Sequence, residues 1–155
     1  MEIISRSPEE TGTLGCRLGS LLRMGDVIFL GGGLGAGKTR FAQGIAAALG
    51  ATGARSPSFA LLHCYRASIP VYHADLYRLD GPSELEVLDL NETTADGVLI
   101  VEWGGLAEKE FPERLDVELV LHQASENART IRLSPIGLRY CELAQRMMDF
   151  ADPGS

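Results

Sequence analysis

The sequence predicts an α/β domain, because apolar segments of strand length alternate with segments of helical periodicity. The strongest signal is a glycine-rich loop at residues 32–39, which follows an apolar run at 27–30 and precedes a helical segment. Two further runs of strand character, at 71–75 and 98–101, end in or lead into an acidic residue. With 155 residues and 45% apolar content the chain can bury one core, so we expect a single domain over residues 1–155.

Residues 32–39 match the G-x-x-x-x-G-K-[ST] pattern of a phosphate-binding loop, in the strand, loop, helix order that this loop requires. Glycines let backbone N–H groups close around a phosphate, and the following helix N-terminus adds partial positive charge. Lys38 can reach the β- and γ-phosphates, and the Thr39 hydroxyl can join the coordination of a bridging Mg²⁺. The predicted nucleotide-binding residues are Gly32, Gly33, Leu34, Gly35, Ala36, Gly37, Lys38, Thr39 and Arg40. The predicted fold is therefore a P-loop NTPase-like three-layer αβα domain with a mixed, mainly parallel central sheet and an antiparallel hairpin.

Composition argues against other classes of protein. A net charge of −7 disfavours direct capture of nucleic acid, because phosphate backbones select for a surplus of Lys and Arg. Three scattered cysteines without a C-x-x-C pair fit reduced thiols in the cytosol. No stretch approaches the roughly 18 consecutive apolar residues of a membrane span, and the N-terminus lacks a secretory signal. We expect a cytoplasmic protein that does not contact a membrane.

The first two helices flank the strand that precedes the loop. Ser7-Pro8-Glu9-Glu10 is a capping box that opens the first helix, and Thr11 is interpreted as a solvated polar residue on its first turn. The second helix follows the loop and is stopped by Gly50. Its predicted buried face consists of Phe41, Ile45 and Leu49.

A turn-rich segment at residues 51–58 follows the second helix. It carries Ser56 and Ser58 on either side of a proline. Two interpretations remain open for this segment. It is either a switch-like loop that brings one of these hydroxyls to Mg²⁺ and the γ-phosphate, or an ordinary surface loop.

Strand candidates at 59–65 and 71–75 are separated by a short turn and predict a hairpin. Asp75 ends the second strand, where a carboxylate often faces the metal of a bound nucleotide, directly or through water. His73 shares a strand face with Asp75 by the period-two rule. A lone histidine is equally well explained as a structural residue, so its role stays open.

The third quarter of the chain contains a second capping box at residues 83–86, which predicts a short acidic helix with Leu85 and Leu88 turned inward. The apolar run 98–101 then leads into Glu102, an acid placed to hold Mg²⁺ or to orient the attacking water. Trp103, the only tryptophan, either fills the core or presents a docking surface.

Alternating apolar residues at 117–122 and 129–133 predict a second hairpin. Arg129 lies at its return, where it either reaches a nucleotide or is a solvated arginine. Ser134 and Pro135 are predicted to begin the last helix. Its expected inward-facing residues are Leu138, Cys141 and Met148.

Four segments of the chain resemble the TsaE family, formerly called YjeE. They are the glycine-rich run at 31–39, Ser56-Pro57-Ser58-Phe59, His73-Ala74-Asp75-Leu76-Tyr77-Arg78-Leu79 and the pair Glu102-Trp103, in the order and spacing of that family. The third segment discriminates best, since generic phosphate-loop proteins lack it. The resemblance extends from the first helix to the hairpin at 117–133.

The resemblance implies an ATPase that uses Mg²⁺ and is required for threonylcarbamoyl modification of adenosine 37 in tRNAs that read codons starting with A. It implies the partners TsaB and TsaD, of which TsaD performs the transfer, with tRNA contacted only through the complex. ATP hydrolysis would drive or reset the cycle of that complex. Family roles transfer to Lys38 for phosphate, Thr39 and Glu102 for Mg²⁺, Asp75 as a second acid and, near the nucleotide, Thr11 and Arg129.

Three residues depart from the family pattern. Gly33 stands where an acid is usual, Ser58 where threonine is usual, and Gly104 where proline is common. Gly33 puts any family role of that acid in doubt, while Ser58 keeps the hydroxyl, so a metal contact there survives.

Other nucleotide-binding classes fit the sequence less well. A guanine-specific Asn-Lys-x-Asp motif is excluded, because the only lysines are Lys38 and Lys109. A small-molecule kinase shares the phosphate loop but usually needs an arginine-bearing lid, and no segment of clustered arginines is evident. A nucleotide-binding scaffold with slow turnover, completed by a partner, also remains open.

Overall fold

A seven-stranded mixed sheet runs through the computed structural model, which describes residues 1–51, 62–123 and 125–154. The strands are β1 (Glu2–Ser5), β2 (Val27–Gly32), β3 (Leu62–Tyr65), β4 (Val71–Asp75), β5 (Val98–Glu102), β6 (Arg114–Leu121) and β7 (Arg129–Ile136). The α-helices are α1 (Pro8–Leu21), α2 (Lys38–Ala48), α3 (Pro82–Leu88), α4 (Leu90–Thr93) and α5 (Leu138–Ala151). A 3-10 helix spans Gly104–Ala107. Residues 59–61 of the predicted third strand lie outside the described residues.

The strand order is β1-β7-β6-β2-β5-β4-β3. β2 pairs in parallel with β5 and β6, and β4 pairs in parallel with β5. The other three pairings among the described strands are antiparallel. The α/β class and the mixed sheet are thus confirmed, but the sheet is evenly mixed rather than mainly parallel. The difference comes from β1, a four-residue strand too short to give a clear period-two signal, which adds an antiparallel pairing with β7.

Two apolar cores lie on the two faces of this sheet. Successive residues of β2 alternate between them, so Ile28 belongs to one core and Phe29 to the other. Helices α1, α2 and α5 contribute to the first core, whereas α3, α4 and the 3-10 helix contribute to the second. Because both faces are covered, β5 is buried along its whole length, as its continuous apolar sequence predicts.

The carboxyl ends of three parallel strands meet at one edge of the sheet. Leu30 of β2 and Asp75 of β4 are each in register with Glu102 of β5. β2 then continues into the loop at 32–39, which leads directly into α2. The glycine-rich loop and the two acidic residues are therefore brought to the same edge.

Glycines allow α1 and α2 to touch through their backbones. A Cβ atom added at Gly15 would lie 2.2 Å from the carbonyl oxygen of Phe41, and one at Gly44 would lie 2.3 Å from the carbonyl oxygen of Gly12. Only glycine fits such an approach. Because α2 begins at the loop, the position of α1 also sets the position of the loop.

One of the two predicted capping boxes is confirmed and the other is wrong. Ser7 caps α1, and its Oγ accepts the N–H of Glu10 at 3.0 Å. Helix α3 begins two residues earlier than predicted, with Gly81 rather than Ser83 at the N-cap, so Ser83 lies inside the helix. The proline at residue 82 explains this start, because proline is favoured in the first helical turn.

The acidic helix is also interrupted. Asp89 has a left-handed backbone conformation, with φ of 44°, and separates α3 from α4. Leu85 is buried as predicted, and Leu90 is buried at the start of α4. The side chain of Leu88, predicted to turn inward, lies outside the described part of the chain.

The prediction that Ser134 and Pro135 begin the last helix is wrong, because both belong to β7. The N–H of Leu133 donates to the carbonyl oxygen of Met1, so the nitrogen of Pro135 faces the same side, beyond the end of β1. A missing N–H is tolerated there, since none of the described strands pairs with that position on that side.

The last helix starts instead at Leu138, after Gly137 with φ of 106°. Leu138 and Cys141 are exposed rather than inward-facing, and Met148 is partly buried against the core. The buried face of α5 consists of Tyr140, Leu143, Ala144 and Met147. None of the helices in the described part of the chain has the length and apolar character needed to span a bilayer.

Candidate nucleotide-binding site

The loop between β2 and α2 has a backbone that favours glycine at three positions, Gly32, Gly35 with φ of 76°, and Gly37. Gly32 has φ of 141°, and a Cβ atom there would lie 2.5 Å from the carbonyl oxygen of Leu119. Gly37, at the N-cap of α2, has φ of 104°. All three conformations are strained for residues with side chains, so these glycines shape the loop.

The loop forms one wall of a cavity of about 530 Å³. Residues 33–40 line it together with Gln43, Asp75, Glu102 and Trp103. Three segments that are distant in sequence thus supply one site. Most of the predicted nucleotide-binding and metal-binding residues lie in this lining. Gln43 was missed, although its position four residues after Thr39 places it on the same helix face.

Lys38 and Glu102 face each other within this cavity. The Nζ of Lys38 lies 3.6 Å from Oε1 of Glu102, and 5.9 Å from the ring centroid of Trp103. The side chain of Lys38 is 19% exposed and lines the cavity. A phosphate in the cavity would compete with the Glu102 carboxylate for this cation.

Glu102 is held by a histidine from the neighbouring strand. Its Oε2 lies 2.9 Å from Nε2 of His73, and both side chains are almost fully buried. Burial opposes ionisation of Glu102, but the hydrogen bond to His73 and the charges of His73 and Lys38 outweigh it and lower the pKa of Glu102. His73 thus has a defined role: its hydrogen bond orients the carboxylate of Glu102.

Asp75 lies beside Glu102 at the end of β4. Its Oδ1 accepts the N–H of Tyr77 at 3.0 Å, which fixes the carboxylate at the strand end. Within the described residues, no group of three or more His, Cys, Asp or Glu side chains is arranged to hold a metal ion. Mg²⁺ usually needs only one or two carboxylates beside phosphate oxygens and water. The oxygen donors of Thr39, Asp75 and Glu102 fit that need.

Thr11 lies behind the loop and is buried, so the interpretation as a solvated residue is wrong. Its hydroxyl lies 2.7 Å from Oγ of Ser5 and donates to the carbonyl oxygen of Ser7 at 3.2 Å. Its Cγ2 would lie 3.5 Å from a Cβ atom added at Gly37. β1, the strand whose Ser5 contacts Thr11, was not predicted from the sequence, and the burial of Thr11 was therefore not predicted either.

Arg129 also lies behind the loop and binds its backbone. Nε donates to the carbonyl oxygen of Ala36 at 3.0 Å, and Nη2 donates to that of Gly35 at 3.1 Å. Arg129 is therefore not a merely solvated arginine.

Arg40 is half-exposed and lies 4.0 Å from Glu9 of α1. Ser58 and the rest of the segment 52–61 lie outside the described residues.

Trp103 lies on the surface rather than in the core. Its side chain is 58% exposed, and its backbone has φ of 57°. The centroid of its ring lies 4.9 Å from the ring centroid of Tyr77, and the two rings are tilted by 54° relative to each other. Of the two alternatives for Trp103, core filling is therefore excluded.

Comparison with known families identifies the chain's relatives. The family model described as "Threonylcarbamoyl adenosine biosynthesis protein TsaE" matches residues 5–131. The chain belongs to the TsaE family. The family acts in the biosynthesis of threonylcarbamoyladenosine in tRNA, and the match covers every described element of the candidate site.

Individual TsaE proteins support this assignment. The chain is 47% identical over 123 residues to a tRNA threonylcarbamoyladenosine biosynthesis protein TsaE of Mycobacterium tuberculosis, covering 72% of this chain and 73% of that protein. It is 38% identical over 144 residues to the TsaE of Bacillus subtilis, covering 91% and 89%. The crystal structure of Bacillus subtilis YdiB superposes with a TM-score of 0.80 at 32% identity, covering 97% of this chain and 95% of that one.

Proposed function

We propose that this chain is the Mg²⁺- and ATP-binding ATPase subunit of the system that places threonylcarbamoyl on adenosine 37 of tRNAs reading codons that start with A. It would act with TsaB and TsaD and contact tRNA only through them. The observation that carries the proposal is the single cavity in which the glycine loop and Lys38 face Glu102 and Asp75. This arrangement supports P-loop NTPase chemistry within the TsaE family.

Each residue has a defined task in this proposal. The loop and the start of α2 bind the phosphates, and Lys38 moves from Glu102 to the β- and γ-phosphates. Thr39, Asp75 and Glu102 would provide oxygen ligands for Mg²⁺, and Ser58 would add another from outside the described residues. When bound, Mg²⁺ would neutralise charge between the β- and γ-phosphates.

Slow turnover by the isolated subunit follows from the same geometry. The lowered pKa of Glu102 makes its carboxylate a weak general base. His73 holds one of its oxygens, so the carboxylate is better placed to bind metal or orient water than to accept a proton. A partner that completes the site would therefore raise the rate.

The partner roles follow from charge as well as from family membership. A chain with a net charge of −7 repels a polyphosphate backbone, so a partner would hold the tRNA. The proposal is tested by reconstitution with TsaB, TsaD, tRNA and the carbamoyl donor system, with and without ATP. Absence of complex formation together with absence of any gain in tRNA modification would refute the partner assignment.

Variants of the two lysines test the nucleotide site directly. Lys38→Ala should reduce ATP affinity at least about tenfold in calorimetry, because one charge-assisted phosphate contact is lost. Lys109→Ala is the matched control, since Lys109 is exposed and lies outside the cavity lining. Equal affinities of the two variants and the wild type would refute the site.

The variant Glu102→Ala tests whether Glu102 acts in Mg²⁺-dependent hydrolysis rather than in folding. It should leave the circular dichroism spectrum in place while lowering the Mg²⁺-dependent release of phosphate. A turnover equal to that of the wild type would remove Glu102 from the mechanism.

A small-molecule kinase is the second candidate, favoured by one further observation. A second cavity of about 520 Å³ shares Gly33, Lys38 and Trp103 with the first and extends over Phe29 and Asp116. A kinase could place its acceptor there. The test is the fate of labelled γ-phosphate, which appears as inorganic phosphate for an ATPase and on an organic acceptor for a kinase.

A further inference from the structure

The guanidinium of Arg129 is almost fully engaged by backbone carbonyls. Besides the carbonyl oxygens of Ala36 and Gly35, Nη1 donates to those of Glu126 at 2.6 Å and of Ala128 at 2.9 Å. Arginine has five N–H donors, so these four hydrogen bonds leave one. These four hydrogen bonds restrain the guanidinium, so it cannot readily turn toward a bound phosphate.

The two loop carbonyls that Arg129 binds belong to peptides with different N–H partners: the N–H after Gly35 donates to the carbonyl oxygen of Gly33 at 3.1 Å within the loop, so the peptide after Ala36 is the one whose N–H can face a ligand. In a trans peptide the C=O and the following N–H are antiparallel. Binding the carbonyl of Ala36 from behind therefore turns the N–H of Gly37 away from Arg129, toward the open side of the loop. That N–H stands at the N-cap of α2, where anions are bound.

Strand pairing holds Arg129 at this place. Arg129 is the first residue of β7, and it pairs with Ser5 of β1 on one side and with Leu121 of β6 on the other. Ser5 in turn contacts Thr11, which lies beneath Gly37. The residues behind the loop thus form one connected support that is anchored in the sheet.

We infer that Arg129 is a positioning residue that fixes the phosphate-binding loop in its anion-binding conformation through the carbonyls of Gly35 and Ala36, and that it does not act as a ligand of the γ-phosphate. These two hydrogen bonds join Arg129 to residues that lie 93 and 94 positions before it in the sequence. It sets the loop before any nucleotide arrives. The inference rests on the proposed function only where nucleotide affinity is concerned.

The planar fork of arginine is essential to this role. Arg129→Lys keeps the positive charge but cannot bind two carbonyls in one plane, and Arg129→Gln removes the charge as well. Arg132→Lys is the matched control, since Arg132 lies on the same strand, is half-exposed and pairs with Glu2 and Glu118 away from the loop.

The first measurement is hydrogen exchange in the nucleotide-free protein. Both Arg129 variants should exchange the amides of residues 35–38 about tenfold faster than the wild type, with unchanged exchange in the central strands. The Arg132→Lys variant should match the wild type. Unchanged loop exchange in Arg129→Lys would overturn the inference, and this arm holds even if the wild type proves to bind no nucleotide.

The second measurement compares ADP with ATP by calorimetry. Loss of a preformed loop should weaken both ligands by the same factor, about 10- to 100-fold, in Arg129→Lys. A direct ligand of the γ-phosphate would instead weaken ATP about tenfold more than ADP, which would overturn the inference. Loss of exchange protection throughout the sheet in both variants would also overturn it, because Arg129 would then be a residue of the whole fold.

Discussion

The contact between α1 and α2 gives the sharpest test of how the fold supports the site. In Gly15→Ala the new Cβ atom would lie 2.2 Å from the carbonyl oxygen of Phe41, whereas ordinary contacts begin at 3.4 Å. The obstructing atom is helix backbone, so no side-chain rotation can relieve the overlap. The two helices must separate locally by roughly 1 Å.

The expected magnitude combines two opposing effects. Overpacking costs about 1–3 kcal/mol and more where backbone has to move. Alanine in place of glycine within a helix contributes about 1 kcal/mol in the opposite direction. We expect Gly15→Ala to lower the free energy of unfolding by about 2 kcal/mol.

Gly12→Ala is a matched control in the same helix. Its Cβ atom would meet only the side chain of Arg40, at 3.5 and 3.6 Å, which are ordinary contacts. Only helix propensity then changes, so the free energy of unfolding should rise by up to about 1 kcal/mol. Urea titrations followed by circular dichroism measure both variants. Equal stability of the two, or a gain in Gly15→Ala, would refute the interhelix contact.

Three further predictions concern ionisable groups and thiols. The pKa of Glu102 is lower in the folded protein than its unfolded value of 4.5, so the ionised carboxylate stabilises the fold above that pH. This contribution is lost as the pH falls through the folded pKa. In urea titrations, Glu102→Gln should therefore lose less stability than the wild type between about pH 7 and about pH 3. Asp26→Ala breaks a 2.7 Å pair with Arg139 that is largely buried and should lower the free energy of unfolding by about 3 kcal/mol in the same assay. All three cysteines are exposed, so a thiol titration of the native protein should find all of them reactive; protection of Cys141 would contradict its placement.

Local signals in the sequence predicted the elements that depend on neighbouring residues. The cap at Ser7, the strand-loop-helix unit around Lys38 and the two hairpins were confirmed, because turn residues and side-chain period act over a few positions. Asp75 and Glu102 were each predicted at a strand end facing a nucleotide's metal, and the parallel pairing of β4 with β5 brings those two ends together.

Two of the wrong predictions, those for Thr11 and Pro135, depend on how β1 and β7 are arranged in the sheet. Thr11 is buried because β1 covers it, and β1 exists because it pairs with β7. Pro135 remains in a strand because its nitrogen faces away from β6, the strand with which it pairs. Neither residue differs locally from a solvated threonine or from a helix-starting proline.

The sequence by itself determined that a loop with the phosphate-binding pattern stands between a strand and a helix, and that two acidic residues lie at strand ends. Only the tertiary structure decided what holds that loop in shape. The glycine contact between α1 and α2, the pair of Ser5 with Thr11, and the tie from Arg129 to Ala36 join residues up to 93 positions apart. Such contacts leave no periodic pattern, because each depends on how whole elements pack rather than on the order of nearby residues.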